Sequence, residues 1–420
     1  MIAFRTFASA ALWIGVAITS AASAAPADSI SGRWDATVTI RGIEIPFRID
    51  FAGDGKDFTG SLFNGDVPIT PTSAQYQDGS LTLTFAQLPM TITAVLKDGR
   101  LEGRIEGRAA DRAGSPFQAK RYTSAPADAA NVPAIAGVWE IPHETGKGEK
   151  AWRFIVRQSG ADVAAAILRV DGDTGSLTGR WQGGKFVLSH FDGTRPALME
   201  IAPGPDGSLV IEQKTSRDAK LTAYRVEEAR AKGIPEPEDF AAHTAVKDPD
   251  QPFTFRFPDA NGKIWSNSDP KFQGKVLIVN ITGTWCPNCH DEAPYLEQLY
   301  KKYHGRGLEI VALDFEEPEQ QAELSRARAF VKKYGIEYTY LIAGAPGELQ
   351  EKVTQLVNLN TWPATIFVGR DGRVEGVHAG FAGPASGDFY RQLDQEYTST
   401  IERLLSERSY STPDAARNRE

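Results

Sequence analysis

The sequence predicts a multidomain protein: an N-terminal all-β tandem repeat of antiparallel barrels or sandwiches, followed by an α/β domain. Three observations carry that expectation. Before residue 228, short alternating apolar runs are separated by Asp-Gly and Gly-Gly turns, the pattern of hairpins. After residue 250, strand-like and helix-like runs alternate, as in a sheet flanked by helices. The length of 420 residues also exceeds what one ordinary core accommodates.

Residues 1–24 have the features of a secretory signal. Arg5 is the basic start, Phe7 to Ile18 is mostly apolar, and Ala22-Ser23-Ala24 offers a small-residue cleavage site, so the mature chain is expected to begin near Ala25. An uncleaved membrane anchor is the weaker alternative, because the apolar run is short of the roughly 20 residues a spanning helix needs. Two β repeats are expected at residues 30–124 and 134–227. Gly32-Arg33-Trp34 recurs as Gly137-Val138-Trp139, and Phe47-Arg48-Ile49 recurs as Trp152-Arg153-Phe154 at the same offset. Tyr76-Gln77-Asp78-Gly79 matches Trp181-Gln182-Gly183-Gly184 at that offset too, and the copies close on Phe117 to Tyr122 and Leu221 to Val226. Gly-x-Trp opening an antiparallel unit resembles the first strand of lipocalin-type barrels; a single larger β-sandwich is the alternative.

Residues 228–250, centred on Pro235-Glu236-Pro237-Glu238, have the composition of a linker that would let the two halves move independently. The α/β domain is expected at residues 251–406. Its strands are Val276 to Ile281, Leu308 to Asp314, Tyr338 to Ile342, Ala364 to Val368 and Arg373 to Ala379; its helices are Ala293 to Tyr303, Gln320 to Lys333 and Phe389 to Leu405. The polar residues 407–420 are expected to be a disordered tail.

The net charge of -8 is spread over both signs without a basic block, which gives no support for nucleic-acid binding. The chain has 2 cysteines, both in Trp285-Cys286-Pro287-Asn288-Cys289-His290. In an oxidising compartment a structural disulfide would be expected to join distant loops, so a pair this close in sequence points to dithiol/disulfide chemistry. Cys286 falls where a strand runs into a helix, where free backbone N–H groups and the helix dipole favour a thiolate, and Pro287 suits the first helical position. Cys286 is therefore the expected nucleophile and Cys289 the resolving thiol. Glu292 follows Cys289 by one helical turn and would either shuttle a proton to it or complement the helix dipole. His290 points about 100° away around the helix and is expected to face solvent or a partner.

Val279-Asn280-Ile281-Thr282-Gly283-Thr284-Trp285-Cys286-Pro287-Asn288-Cys289, followed by Glu292-Ala293-Pro294, resembles the active-site strand and helix of thioredoxin-fold proteins, in particular the TlpA-type exported disulfide reductases. Pro294 stands where that family kinks its first helix. Asn360-Thr361-Trp362-Pro363-Ala364-Thr365-Ile366-Phe367 resembles the family's cis-proline loop, and Asp371-Gly372-Arg373-Val374 and Gly380-Phe381-Ala382-Gly383-Pro384 continue the likeness, which spans Gln251 to Leu405. The resemblance implies that Cys286 attacks, Cys289 resolves, Glu292 tunes the pair, and Pro363 is a cis-proline lying against the sulfurs. With Trp285 and Trp362, Pro363 would hold the substrate backbone. Two positions depart from the pattern. Asn280 stands where cytoplasmic thioredoxins carry a buried aspartate, and Trp362 replaces a small residue before the proline, which alters the groove.

The function implied is that of an exported, periplasmic thiol:disulfide oxidoreductase that reduces protein disulfides, without a cofactor or a metal. The β repeats would recruit a partner or space the site from a membrane, and a membrane-embedded electron donor would supply reducing equivalents. Reduction is preferred over oxidation on the resemblance alone. Alternatives are a thiol-dependent peroxidase, although no proline precedes Thr282 and Thr284 on their strand, a copper(I)-handling protein using the two thiols and His290, and a non-enzymatic β-repeat interaction protein. Cys-x-x-Cys-His is also the attachment signature of c-type haem, but Met1, Met90 and Met199 all precede it, and only His304 and His378 follow as axial ligands.

Overall fold

The computed structural model describes residues 29–124, 131–216 and 219–407. The expected signal segment, and all of the expected tail except Glu407, lie outside the described residues.

The first unit has strands β1 (Gly32–Ile40), β2 (Ile43–Ala52), β3 (Thr59–Asn64), β4 (Val67–Ile69), β5 (Ser73–Gln77), β6 (Ser80–Phe85), β7 (Met90–Lys97), β8 (Arg100–Gly107) and β9 (Ser115–Arg121). Alternation sets the inside: Trp34, Ala36, Val38 and Ile40 of β1 are all buried, and they pack with Phe51, Phe85 and Phe117. Asp78-Gly79 and Asp98-Gly99 join β5 to β6 and β7 to β8, with positive φ at both turn residues, which glycine adopts freely and aspartate tolerates. The spatial order is β4-β3-β2-β1-β9-β8-β7-β6-β5, so among the described residues β4 and β5 are the outermost strands and the unit is a half-barrel.

The second unit has β10 (Gly137–Pro142), β11 (Ala151–Ser159), β12 (Asp162–Arg169), the two-residue β13 (Gly172–Asp173), β14 (Leu177–Gln182), β15 (Lys185–His190), β16 (Ala197–Pro203), β17 (Leu209–Gln213) and β18 (Lys220–Arg225). Here β11 also pairs with β12, which closes an eight-stranded ring around Phe154, Phe186, Leu188 and Ile211. The two units begin alike. Trp34 pairs with Ile49 and Trp139 with Phe154. Each indole N–H donates to the carbonyl of the residue four before it, Ile30 at 2.8 Å and Ile135 at 2.9 Å. An arginine lies over each indole, Arg121 at 5.0 Å and Arg225 at 3.8 Å.

Helix α1 (Val226–Ala231) follows, and the Pro/Glu-rich stretch after it is tied to both halves instead of hanging free. Arg153 donates to the Glu238 carbonyl at 3.1 Å, His243 meets Asn360 at 2.7 Å, and Ala379 N–H donates to the Phe240 carbonyl at 2.9 Å. Phe240 and His243 supply the packing that the prolines and glutamates around them do not advertise.

In the C-terminal domain, β19 (Ala245–Val246) pairs with β25 (Leu356–Val357), and β20 (Arg256–Pro258) forms a hairpin with β21 (Ile264–Ser266). The central sheet contains β22 (Val276–Thr282), β23 (Leu308–Phe315), β24 (Thr339–Gly344), β26 (Ala364–Val368) and β27 (Val374–Ala379) in the order β24-β23-β22-β26-β27. Its β22–β23 and β23–β24 pairs are parallel, and β26 and β27 are antiparallel. Helices α2 (Pro287–Tyr303), α3 (Ser325–Tyr334) and α5 (Asp388–Ser406) pack Leu296, Phe330 and Tyr397 against Val276, Ile278 and Phe367. The opposite face, with Leu277, Val279 and Ile281, is covered by Phe253, Phe272 and the short helix α4 (Leu349–Lys352).

The three parts interlock. Ile155 and Leu168 of the closed barrel enter the helix-side core of the C-terminal domain, and Phe191 enters the half-barrel core, 4.9 Å from the Phe47 ring. No helix among the described residues is long and apolar enough to cross a membrane.

Candidate active site: a dithiol at the start of a helix

β22 ends at Thr282, and Gly283-Thr284-Trp285 leads into Cys286, the N-cap of α2, with Pro287 at the first helical position. A Cβ at Gly283 would lie 2.5 Å from the Trp285 indole nitrogen, so a larger residue would displace that ring. Trp285 N–H of the indole donates to the Phe315 carbonyl at 2.9 Å. Thr284 accepts from Arg326 at 2.6 Å and its backbone N–H donates to Glu316 at 2.8 Å, while Arg326 is ion-paired with the same Glu316 at 2.7 Å. The approach to Cys286 is therefore held by a buried polar clamp.

Cys286 Sγ accepts the backbone N–H of Cys289 at 3.3 Å, so the sulfur caps the first turn of the helix. On its other side it donates to the Trp362 carbonyl at 3.4 Å, and the Trp362–Pro363 peptide bond is cis. The structure thus brings Cys286, Cys289, Trp362 and Pro363 together. Trp285 and Trp362 meet edge to face at 5.1 Å. Both cysteines are free thiols, and Cys286 and Cys289 are only 3% and 1% exposed. Burial pushes the Cys289 thiol well up, and the neighbouring Cys286 and Glu292 push it further in the same direction.

Glu292 is buried at 1% exposure, which disposes of a surface acid serving only the helix dipole. Its oxygens accept from Asn280 at 2.7 Å and from Thr365 at 2.9 Å. Asn280 and Thr365 are cross-strand partners on the helix-facing side of β22 and β26, so the pleat aims both at one carboxyl. Burial raises Glu292 to about 8, against the pull of those two hydrogen bonds.

His290 differs from the sequence expectation. It is buried, with Nδ1 2.9 Å from the Tyr334 hydroxyl and Nε2 2.8 Å from the Thr284 carbonyl, and burial lowers it to about 4. The helix rotation that takes it off the Cys289 face points it at α3, not at solvent. Both ring nitrogens are engaged, and among the described residues no group of three or more His, Cys, Asp or Glu is arranged around a metal site.

Sequence reasoning missed the residues that touch this site from the closed barrel. Asp171 Oδ1 accepts the Trp362 backbone N–H at 3.2 Å, and the Asp171 carbonyl accepts from Asn288 at 3.0 Å. Arg195 donates to the Asn288 side-chain oxygen Oδ1 at 3.1 Å and pairs with Asp192 at 2.8 Å and Asp291 at 2.9 Å. A turn in a β unit, more than a hundred residues from the cysteines, carries no local signal of this contact.

The AhpC/TSA family matches residues 249–377. The thiol-disulfide oxidoreductase ResA of Halalkalibacterium halodurans is 29% identical over 141 residues, 34% of this chain and 73% of that protein. ResA of Bacillus thuringiensis is 32% identical over 120 residues, 29% of this chain and 62% of that protein. A thiol:disulfide interchange protein of the thioredoxin family from Chlorobium tepidum aligns over 38% of this chain and 99% of its own, at 25% identity and a TM-score of 0.28. The C-terminal part of the chain is thus a thioredoxin-like domain that matches the AhpC/TSA family over residues 249–377 and is similar to thiol-disulfide oxidoreductases of the ResA type.

Proposed function

We propose that this thiol:disulfide oxidoreductase is exported and reduces disulfides of periplasmic proteins, with Cys286 as attacking and Cys289 as resolving residue. The observation that carries the assignment is the Cys286 sulfur at the helix start, accepting the Cys289 N–H and flanked by the Trp362–Pro363 loop. The Cys286 thiolate attacks one sulfur of the substrate disulfide, that S–S bond breaks, and the departing thiolate takes up a proton. Cys289, after losing its proton, attacks Cys286 in the mixed disulfide. The substrate leaves as a dithiol, and the enzyme carries the disulfide and has lost two electrons. Glu292 is suited to handle the Cys289 proton, being buried close enough to raise that thiol and itself raised to about 8. Trp285, Trp362 and Pro363 form the wall against which a substrate backbone would lie.

Export rests on Arg5, the apolar run from Phe7 to Ile18, and Ala22-Ser23-Ala24. A membrane-embedded donor would re-reduce the pair. The half-barrel and the closed barrel are proposed to be tandem copies of one unit, supported by the matched indole hydrogen bonds, arginine stacking and strand pairing at their first strands. Their role is recruitment of a partner protein.

Cys286→Ser should abolish reduction of a protein disulfide, and Cys289→Ser should accumulate a mixed disulfide with the natural substrate, identifiable by mass spectrometry. Equal partial losses from both would count against the assigned order of attack. A reduction potential as oxidising as about -120 mV would reverse the direction of the reaction.

A further inference from the structure

The turn between β12 and β13 occupies the ground in front of the dithiol. Asp171 receives the backbone N–H of Trp362 on its carboxylate, and its own carbonyl receives the Asn288 side chain at 3.0 Å and the Phe381 backbone N–H at 3.2 Å. Gly172 forms a β-bridge with Phe381. Main chain meets main chain so closely that a Cβ on Gly172 would lie 2.2 Å from the Phe381 carbonyl oxygen, and one on Gly380 would lie 2.1 Å from that of Val170. The three stretches contacted are Asn288 between the two cysteines, Trp362 before Pro363, and the strand end at Gly380-Phe381.

Side chains pin the turn in place. Arg195, on the same barrel, binds Asp192 of its own loop and both Asn288 and Asp291 of α2. Asn64 of the half-barrel donates to Asp291 at 3.3 Å and accepts the Ser176 N–H at 2.8 Å, so both β units hold the same helix start. Beside the cysteines, Leu88, Gly193, Trp285, Pro287 and His290 enclose a cavity of about 130 Å3, room for a few waters and far short of a polypeptide segment. Cys286 itself is 3% exposed.

Disulfide exchange requires the attacking sulfur to reach its target sulfur directly, and a protein disulfide arrives on a chain. We infer that the Val170–Asp173 turn is a built-in occupant of the substrate groove, and that the enzyme turns over only when the closed barrel lifts away and an extended polypeptide segment takes over the main-chain contacts of Asp171. The inference rests on the reading of Cys286 and Cys289 as the exchanging pair. It assigns the barrel a second task beyond recruitment: a partner that binds the barrel and draws it off the dithiol switches the site on.

The test uses the reduced full chain and two variants. Arg195→Ala removes the pin, and Asp171→Ala removes the carboxylate that accepts the Trp362 N–H, leaving the Arg195 cluster intact in case the first variant folds poorly. Two rates are measured: alkylation of Cys286 by iodoacetamide, followed by mass spectrometry, and reduction of the insulin disulfides. Both are expected to rise roughly tenfold or more, the effect of losing a charge-assisted contact of about 1.4 kcal/mol or above. If the unmodified chain already alkylates and reduces insulin as fast as two folded variants, the occupant is no barrier and the inference falls. Faster alkylation with no insulin reduction by any of the three proteins would leave the gate standing and remove the oxidoreductase reading.

Discussion

At the scale of single residues, the buried Glu292 is the carboxyl whose ionisation the fold moves up to about 8. The folded protein keeps its proton up to about pH 8, whereas the unfolded chain releases it near 4.5. The native state therefore binds more protons than the unfolded state between those values, and stability falls as pH rises from about 4.5 to 8, then levels off. The span corresponds to roughly 4–5 kcal/mol. Glu292→Gln keeps the shape and removes the titration, so chemical denaturation of that variant should show a flatter stability profile over this range. If Glu292 also moves the Cys289 proton, the same change should slow resolution of the mixed disulfide by roughly 10²-fold and erase the ionisation near pH 8 from the rate profile. Loss of the stability slope without the kinetic effect would confine Glu292 to a structural role. Glu292 was legible in the sequence from its one-turn spacing to Cys289, and Asn280 from its place in the motif. Thr365 was quoted only as part of the proline loop; its role depends on which strand pairs with β22, which no local pattern states.

At the scale of elements, the junction of β22 and α2 depends on neighbours that the motif does not contain. Arg326 of α3 reaches Thr284 and Glu316 and is itself nearly inaccessible. Breaking a buried pair leaves an unmatched charge, so Arg326→Met should cost about 3–5 kcal/mol in urea unfolding. It should also slow exchange, because Thr284 sets the path into Cys286. The strands of the central sheet and helices α2, α3 and α5 were readable from their apolar runs, and Pro287 marks where α2 begins. The Thr284–Glu316–Arg326 clamp was not, because it joins three elements through side chains common on any surface. His290 shows the same limit: helix geometry gives its direction, but what stands in that direction is a matter of how α3 packs.

At the scale of the whole molecule, two β units and one α/β domain were legible from texture, and their mutual arrangement was not. Alternation and Asp-Gly turns identify hairpins, yet whether a row of hairpins closes depends on one last pairing, β12 with β14 in the second unit, whose counterpart between β3 and β5 is not made in the first. Docking of the barrel on the dithiol was equally hidden, since Asp171, Gly172 and Arg195 look like ordinary turn and surface residues. The missing closure has a consequence of its own. Among the described residues no strand pairs with the outer side of Val67–Ile69 or of Ser73–Gln77, so the first unit has a slit from which it can unzip, whereas the ring beside it offers no such starting point. Deuterium uptake should begin at that slit and spread through β3 and β6 well before it touches β11 or β12. Uniform protection of the two units would mean that some other surface seals the slit.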